Sequence, residues 1–499
     1  MRILFLISVA VIATCGLIYE LIAGTLASYL LGDSITQFST IIGVYLFSMG
    51  IGSYISKFVR KNIIETFIVV EILVGLLGGF SSTLLYALFN HLESFQLFIY
   101  VLISAIGILV GLEIPLMMRI LKDEFAFKDL VSHIFSFDYA GALLASLAFP
   151  LFFVPTLGLI KTSLFFGLLN IVIALLLIFN RHVKIQRIRT FQAAGILSLL
   201  VLVVSFVLGD QILRYTEDLA YEENVIYSKS TPYQRITLTA DKKGTKLFLN
   251  GNLQFYSADE YRYHEALVHP VMSLVADAKN ILILGGGDGF AVRELVKYPQ
   301  IEKIQMVDLD PEMTKLFRRN PQLNQLNDSS LFSPKLKITN QDAFIWLKQN
   351  QQMFDVILID LPDPSNFSLG KLYTDQFYLA VGKHLKESGA IVVQSTSPYV
   401  APKSYWCIAN TLQINGMRIL PYHTFIPSFG DWGYVIASKQ QMLSPDFSRM
   451  PKNLRFFSPD AFESMCYFPK DVAYRTTEIN RLNNQALVHY FEVEWNQFQ

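Results

Sequence analysis

Charged residues are scarce in this chain, and cysteine is rarer still. Asp, Glu, Lys and Arg make up only 16% of the 499 residues, and the formal net charge is zero. Proteins that bind nucleic acid normally show a basic excess or patch, so we expect no nucleic-acid partner. The three cysteines, Cys15, Cys407 and Cys466, are too scattered for a disulfide framework or a metal site. We therefore also expect no metal.

Apolar residues make up 52% of the chain, and their long runs lie in its first 210 positions. Seven stretches there each approach or exceed the roughly 20 residues that a helix needs to span a bilayer. They cover residues 3–31, 38–59, 63–89, 95–118, 135–154, 160–179 and 191–208. The first is too long for the apolar core of a removable secretory signal. The pattern predicts a multi-pass α-helical membrane domain over residues 1–210, with the lipid bilayer as a partner.

Basic residues collect in alternate breaks between these stretches, and those breaks should face the cytoplasm. They are Arg2; Lys57, Arg60 and Lys61; Arg119, Lys122 and Lys128; and Arg181, Lys184, Arg187 and Arg189. Seven crossings that start inside would leave the rest of the chain on the outer face. The sequence does not resolve this point, because one segment could fail to cross.

Four acids lie within or at the ends of the apolar stretches: Glu20, Glu71, Glu113 and Asp138. A charge there is costly and usually faces protein or water. Two interpretations stay open. The acids form a path for cations, or they are protonated and form hydrogen bonds between helices.

After Leu208 the composition changes within a few residues, which marks a domain boundary. A small antiparallel β region with a connecting helix is predicted over residues 211–275, with strands at 234–239, 246–249 and 253–256. From residue 280 apolar strand patterns alternate with helical patterns five times. That alternation predicts a doubly wound, mostly parallel α/β domain over residues 276–499, Rossmann-like and of the methyltransferase type.

Aspartates follow the predicted parallel strands, at the edge of the sheet where ligands bind in such folds. They are Asp288, Asp308, Asp342, Asp360 and Asp363. The turn from Gly285 to Gly289, with Asp308 about 20 residues later, has the spacing of an adenosine-binding site. No GK[ST] motif follows the turn, which argues against an NTPase. The acids indicate a crevice that selects cations.

Three positions in this region have competing interpretations. Asp342 could cap the following helix or bind the exocyclic amine of adenine. Asp360 and Asp363 are close enough in sequence to perturb each other's pKa or to recruit a cation, although acids beside proline also start turns. Tyr263 and His264 open a probable helix just before the α/β domain, and a lone histidine could equally be a packed core residue.

The chain resembles the polyamine aminopropyltransferases, the spermidine synthases, in several motifs that occur in order. These are Tyr233-Gln234, DEYRYHEALVHP, GGGDG, MVDLD, QDA, DLPDP and IPSFG, between Tyr233 and about Lys439. The apolar half resembles the multi-pass version of the family found in bacteria. The resemblance implies transfer of an aminopropyl group from decarboxylated S-adenosylmethionine, a co-substrate, to putrescine, with no cofactor. We also expect a homo-oligomer.

Residue roles follow from the resemblance, position by position. Asp360 is expected to accept the proton. The nucleoside is expected at Gln234, Asp308, Asp342, Ala343, Gly285 and Gly287, and the amine at Tyr263, His264, Asp288 and Asp363. Three departures concern the acceptor and the nucleoside: Phe429 replaces a tyrosine, PSNFSLGK replaces a glycine-proline turn, and Asp308 replaces a glutamate.

Two other functions compete with aminopropyl transfer. One is methyl transfer from intact S-adenosylmethionine on the same fold; the other is a membrane transporter or sensor whose C-terminal domain only binds polyamine. The expected location is a bacterial inner membrane with the catalytic domain in the cytoplasm, where both substrates are made, although seven crossings would place that domain outside.

Overall fold

A computed structural model describes residues 2–31, 34–89, 92, 94–122, 125–180, 185–212, 221, 223–275, 277–441 and 444–498. The chain forms two compact units, Met1–Val225 and Ile226–Gln499. The basic residues Arg181 and Lys184 lie outside the described residues.

The first unit is a bundle of long apolar helices. They are α1 (Arg2–Leu31), α2 (Ser34–Ile55), α3 (Ile63–Leu88), α4 (Phe95–Leu121), α5 (Phe127–Ala148), α6 (Val154–Ile178) and α7 (Ile188–Val207). A π-helical segment, Phe149–Phe153, joins α5 to α6. Counted as continuous runs, six helices in the described part of the chain are long and apolar enough to cross a membrane.

The fifth run, Phe127–Ile178, folds back on itself. Thr14 Oγ1 donates to the carbonyl of Gly141 at 3.1 Å, and the next residue, Cys15, donates through Sγ to the carbonyl of Phe166 at 3.5 Å. Positions 141 and 166 would lie about 37 Å apart in one straight helix. Gly158, with φ +71°, interrupts the helical geometry between them. The run therefore has two limbs, which correspond to the fifth and sixth apolar stretches of the sequence.

Three of the four acids of the apolar stretches, Glu20, Glu71 and Glu113, are buried inside this unit. Glu71 has no exposed surface, and Glu113 is 3% exposed. Among the residues that the structure describes, neither carboxyl oxygen of Glu71 has a hydrogen-bond partner, nor has Oε1 of Glu113. Hydrogen bonding between helices, one of the two interpretations of these acids, therefore has no support at these three oxygens.

The second unit contains two sheets. The small sheet has the order β1 (Asn224–Ser230), β2 (Arg235–Ala240), β3 (Thr245–Leu249) and β4 (Asn252–Tyr256). The large sheet has seven strands in the order β10-β11-β9-β8-β5-β6-β7. Its strands are β5 (Asn280–Gly285), β6 (Lys303–Asp308), β7 (Leu336–Asn340), β8 (Phe354–Asp360), β9 (Leu385–Gln394), β10 (Arg418–Ile426) and β11 (Gly430–Ser438). Strands β5 to β9 run parallel, and β11 is antiparallel to both of its neighbours.

Helices connect the strands and cover both faces of the large sheet, so the predicted fold class is confirmed. They are α8 (Glu260–Leu274), α9 (Phe290–Leu295), α10 (Pro311–Arg319), α11 (Pro321–Leu326), α12 (Ala343–Gln349), α13 (Phe367–Gly370), α14 (Asp375–Lys383), α15 (Pro402–Gln413), α16 (Pro459–Met465) and α17 (Ala486–Phe498). The sequence patterns did not predict β1, the β10–β11 hairpin, α16 or α17.

The small sheet shares its core with the α/β fold. The Phe255 ring of β4 packs edge to face against Phe290 and Phe317, with centroid distances of 5.0 and 5.8 Å. Aromatic pairs of this geometry stabilise a core beyond their buried area. Residues Ile226–Gln499 form one compact unit for this reason, and a separate domain over residues 211–275 stays a prediction.

Candidate active site

The turn after β5 brings two strand ends into close contact. A side chain at Gly285 would place its Cβ 1.9 Å from the carbonyl oxygen of Asp360, and Gly285 has φ +89°. Only glycine fits such a position, both sterically and conformationally. The N–H of Gly286 donates to the same carbonyl at 3.2 Å. The glycines therefore draw the end of β8, with Asp360, against the turn that follows β5.

Asp308 lies at the end of β6, on the other side of this turn. Its Oδ2 accepts from the N–H of Gly287 at 3.1 Å, and its Oδ1 accepts from the N–H of Asp310 at 2.9 Å. Burial raises the pKa of Asp308 to about 7, with the charge of Asp310 adding to the effect. Gln234 reaches the same place, because its Nε2 donates to Asp310 Oδ2 at 3.1 Å. Gln234, Gly287 and Asp308 thus form one edge of the crevice.

Asp360 forms the centre of the site with Tyr263 of α8. The hydroxyl of Tyr263 donates to Asp360 Oδ1 at 2.6 Å. Burial raises the pKa of Asp360, although the nearby His264 and the hydrogen bond from Tyr263 partly offset the rise. Burial and the charge of Asp360 together raise the pKa of Tyr263 well above its usual value. Tyr263 is therefore a hydrogen-bond donor that fixes the rotamer of Asp360.

Asp363 is held by two residues that the sequence analysis missed. Gln394 Nε2 donates to Oδ1 and Thr396 Oγ1 donates to Oδ2, both at 3.3 Å. Burial raises the pKa of Asp363 to about 7. Thr396 has φ +54°, a left-handed conformation that β-branched residues rarely adopt and that tends to occur at functional sites. Gln394 ends β9, next to β8 in the sheet, so the strand-end rule could have found it.

Asp288 and His264 complete the acidic crevice. The pKa of Asp288 is raised to about 6, chiefly by burial; the charge of Asp360 contributes to the rise, and the charge of His264 offsets part of it. His264 is 2% exposed, and its Nδ1 lies 2.8 Å from Glu260 Oε2. Burial lowers the pKa of His264, but Glu260 and the charges of Asp288 and Asp360 outweigh burial and raise it overall.

Asp342 has a structural role at the start of α12. Its Oδ1 accepts from the N–H groups of Phe344 and Ile345, which makes it the N-cap, and its Oδ2 accepts from Lys371 Nζ at 2.7 Å. Burial raises the pKa of Asp342, but the hydrogen bonds from Lys371 and the backbone outweigh burial and lower it. Ala343 begins α12 beside it. The cap interpretation is thus supported by geometry, and adenine binding at this pair stays a prediction.

The tip of the β10–β11 hairpin lies against α8. Asp259 accepts from the N–H of Ser428 at 2.7 Å and from its hydroxyl at 2.9 Å. The ring of Phe429 packs against Tyr263 with a centroid distance of 6.3 Å. The hairpin therefore reaches the residue that holds Asp360.

Comparison with known proteins covers both halves of the chain. A polyamine aminopropyltransferase of Leptospira interrogans is 49% identical over 98% of both chains. The chain belongs to the polyamine aminopropyltransferase family. A second family member, polyamine aminopropyltransferase 2 of Ralstonia nicotianae, is 47% identical over 99% of this chain and 98% of the relative. The chain is therefore a polyamine aminopropyltransferase of the spermidine synthase type, and these relatives match its apolar N-terminal half as well.

Two further comparisons match part of this aminopropyltransferase. The family model of the spermine/spermidine synthase domain matches residues 260–449. A crystal structure of spermidine synthase in complex with the transition-state analogue AdoDATO is 28% identical and covers 50% of this chain and 86% of that chain, with a TM-score of 0.47.

One open pocket of this aminopropyltransferase is distinct from the acidic crevice. Its volume is about 990 Å³, and its lining includes Glu260, Arg293, Lys297 and Arg455. None of the four acids Asp288, Asp308, Asp360 and Asp363 lines it in the described part of the chain. We place the candidate active site at these acids and not at that pocket, because buried carboxylates would attract the polyamine, a cation, for which the family is named.

Proposed function

We propose that this aminopropyltransferase moves the aminopropyl group of decarboxylated S-adenosylmethionine to putrescine, giving spermidine and 5′-methylthioadenosine. The observation that supports it most is the arrangement of Asp360, Tyr263 and Asp288 in one crevice. Carboxylates attract both substrates, because the diamine and the donor are cations at neutral pH.

Asp360 is the proposed proton acceptor. The amine nitrogen attacks as the neutral amine, after its ammonium form has lost one proton. It attacks the methylene carbon next to the sulfonium, and the carbon–sulfur bond breaks with its electron pair going to sulfur. The proton lost from nitrogen moves to Asp360, whose raised pKa makes it a better base than an ordinary aspartate. The leaving thioether is neutral and needs no acid. Alignment of nitrogen, carbon and sulfur supplies much of the acceleration.

Asp288 and Asp363 are the proposed contacts for ammonium groups. Asp288 would pair with the aminopropyl ammonium of the donor and would repel the carboxylate of intact S-adenosylmethionine, which is selection by an unfavourable contact. Asp363, anchored by Gln394 and Thr396, would hold the acceptor amine. Phe429 beside Tyr263 gives the acceptor subsite an apolar wall where a tyrosine would offer a hydroxyl.

The proposed nucleoside edge consists of Gln234, Asp308 and the glycine turn. Asp308 is well placed to bind ribose hydroxyls. Gly285 and Gly287 have no side chains, which lets Asp360 and Asp308 lie against the turn that the nucleoside would contact. The experiment that tests the whole assignment uses the full-length protein with decarboxylated donor and a panel of diamines. We expect spermidine and methylthioadenosine in equal amounts with putrescine.

Two outcomes would contradict this assignment. Methylated product from intact S-adenosylmethionine, with the decarboxylated donor untouched, would make the protein a methyltransferase. Tight polyamine binding without any turnover would make it a sensor or transporter.

A further inference from the structure

Two oxygen atoms of Glu260 lie within hydrogen-bond distance of one ring nitrogen of His264. The Nδ1 atom of His264 lies 2.8 Å from Glu260 Oε2 and 2.9 Å from the main-chain oxygen of the same residue. Both oxygens are acceptors, so Nδ1 must carry the proton in either charge state of the ring. Glu260 therefore determines the tautomer of His264.

The other ring nitrogen, Nε2, is available to a ligand in the crevice. It has no hydrogen-bond partner among the residues that the structure describes, whereas the ring interacts electrostatically with Asp288 and Asp360. The raised pKa of His264 favours a proton on Nε2 in the empty site, and a cationic amine bound beside the ring opposes that proton. The neutral ring, with its proton on Nδ1, then offers a lone pair at Nε2 that accepts an N–H from the amine. The opposite tautomer would present an N–H there and could not accept one.

Glu260 is itself held by Arg293. The Arg293 Nη1 and Nη2 atoms donate to the two Glu260 oxygens at 2.9 and 3.0 Å, and Arg293 Nε donates to Glu294 Oε1 at 3.0 Å. The side chains of Glu260 and Arg293 are only 4% and 9% exposed. Burial raises the pKa of Glu260, but His264 and Arg293 outweigh burial and lower it. The guanidinium thus keeps Glu260 ionised and fixes both of its oxygens.

We propose that Glu260, clamped by Arg293, is a positioning residue that orients His264 so that Nε2 accepts a hydrogen bond from the substrate amine; this rests on the proposed aminopropyl transfer. The pair lies 33 positions apart in sequence, on α8 and α9. Within the described part of the chain, the hydrogen bonds of the Glu260 carboxylate go to Arg293 and His264 and not to the acids of the crevice. The effect of the pair on the reaction therefore passes through His264 to amine binding.

The test compares kinetic constants of full-length variants. Replacement of both partners, in Glu260→Met/Arg293→Met, removes the two opposite charges together, and Glu294 keeps its bonds to His269 and Lys297, so the fold is retained better than in either single variant. Loss of one hydrogen bond to a cationic amine should raise the KM for putrescine about tenfold or more, while the KM for the decarboxylated donor changes less than about twofold. Glu260→Gln keeps an oxygen that can accept from Nδ1 and should recover part of the putrescine affinity.

Glu294→Gln is the matched control, because Glu294 is a buried carboxylate bonded to the same arginine but not to His264. It should lower the Tm and leave the KM for putrescine close to that of the wild type. The proposal is overturned if the double variant keeps the wild-type KM for putrescine, or if the KM for both substrates rises equally. If the wild-type protein makes no spermidine at all, the proposed function fails instead, so the two failures are distinguishable.

Discussion

Four aspartates of like charge share the crevice, and each is partly withdrawn from water. Burial raises the pKa of Asp308 and Asp363 to about 7 and of Asp288 to about 6, and it also raises the pKa of Asp360. Each carboxylate is thus destabilised in the empty site and stabilised when a cation arrives. Binding of an ammonium group and loss of a proton from the acids are therefore linked.

This linkage predicts a pH dependence of amine binding. An acid whose pKa is raised to about 7 is mostly protonated at pH 6 and no longer attracts a cation. The KM for putrescine should therefore rise roughly tenfold between pH 8 and pH 6, the change expected for one such group. Both ammonium groups of a diamine stay protonated over this range, so the substrate does not cause the change. Steady-state kinetics from about pH 5.5 to 8.5 provide the measurement, and a flat KM would contradict the prediction.

The same aspartates determine whether the folded protein becomes more or less stable as the pH rises. An acid with a raised pKa in the folded state favours folding at low pH, and that contribution is lost as pH rises through about 6 to 7. A bound diamine supplies the missing positive charge. The rise in Tm caused by saturating putrescine should accordingly be larger at pH 8 than at pH 6.

Replacement of Asp360 by asparagine tests the proton acceptor. The amide keeps the shape of the side chain and the hydrogen bond from Tyr263 but accepts no proton, so kcat should fall at least about 100-fold. The control is Asp355→Asn, at the opposite end of the same strand. Asp355 Oδ2 accepts from the N–H groups of Lys279 and Asn280, at 3.1 and 2.9 Å, away from the crevice. Full turnover by Asp360→Asn would remove Asp360 from the mechanism.

At the scale of elements, the parallel part of the large sheet and the crevice at its edge were predictable. Five apolar strands, each followed by a helical pattern, require their carboxyl ends to meet on one side. The same rule placed Asp288, Asp308, Asp360 and Asp363 together, and it extends to Gln394. These elements follow from local periodicity, which a single sequence contains.

Other elements depend on contacts that periodicity does not contain. Strands β10 and β11 carry Pro421 and Gly433, which weaken a strand pattern; Pro421 is tolerated because β10 is the edge strand of the sheet. The clamp of Glu260 by Arg293 joins α8 to α9 through side chains, and no spacing in the sequence indicates it. Such pairings follow only from the packed tertiary structure.

Two substitutions at Asp342, the N-cap of α12, separate its capping role from a role in adenine binding. Asparagine is as good an N-cap as aspartate, whereas alanine at this position costs about 1 kcal/mol. Asp342→Asn keeps the cap and loses only the charge that pairs with the partly exposed Lys371, so it should lower the free energy of unfolding by a few tenths of a kcal/mol. Asp342→Ala loses the cap as well and should lower it by about 1 kcal/mol more. Chemical denaturation and the KM for the decarboxylated donor are measured for both. If the asparagine variant keeps nearly all of its stability but has a higher KM for the decarboxylated donor, Asp342 also binds adenine. An unchanged KM would leave Asp342 with the capping role alone.

At the scale of the whole molecule, the number of apolar limbs that cross a membrane determines on which side the acidic crevice lies. The fold-back within Phe127–Ile178 gives the N-terminal unit seven apolar limbs in its described part, one of them α5 with its exposed Leu143 and Leu144. We expect the catalytic unit in the cytoplasm, where the proposed substrates would be made. If all seven limbs cross, the N-terminus then lies outside.

Protease treatment of sealed vesicles tests this expectation. Residues 226–499 should resist protease in right-side-out vesicles and be cleaved in inverted ones. Detergent-opened vesicles serve as the control, because both faces are accessible there. Cleavage in intact right-side-out vesicles would place the unit outside, in agreement with the charge pattern of the loops.

The β10–β11 hairpin is anchored in a way that leaves the side chain at position 429 free to change during evolution. Ser428, at its tip, donates two hydrogen bonds to Asp259, the N-cap of α8, and Arg262 of α8 donates one to the carbonyl of Phe425. None of these hydrogen bonds uses the side chain of residue 429. Mutation of that codon would therefore exchange the proposed wall of the acceptor subsite while these hydrogen bonds of the hairpin stay in place. If this wall selects the acceptor as proposed, drift at a single position would be enough to change the amine preference among descendants of one gene.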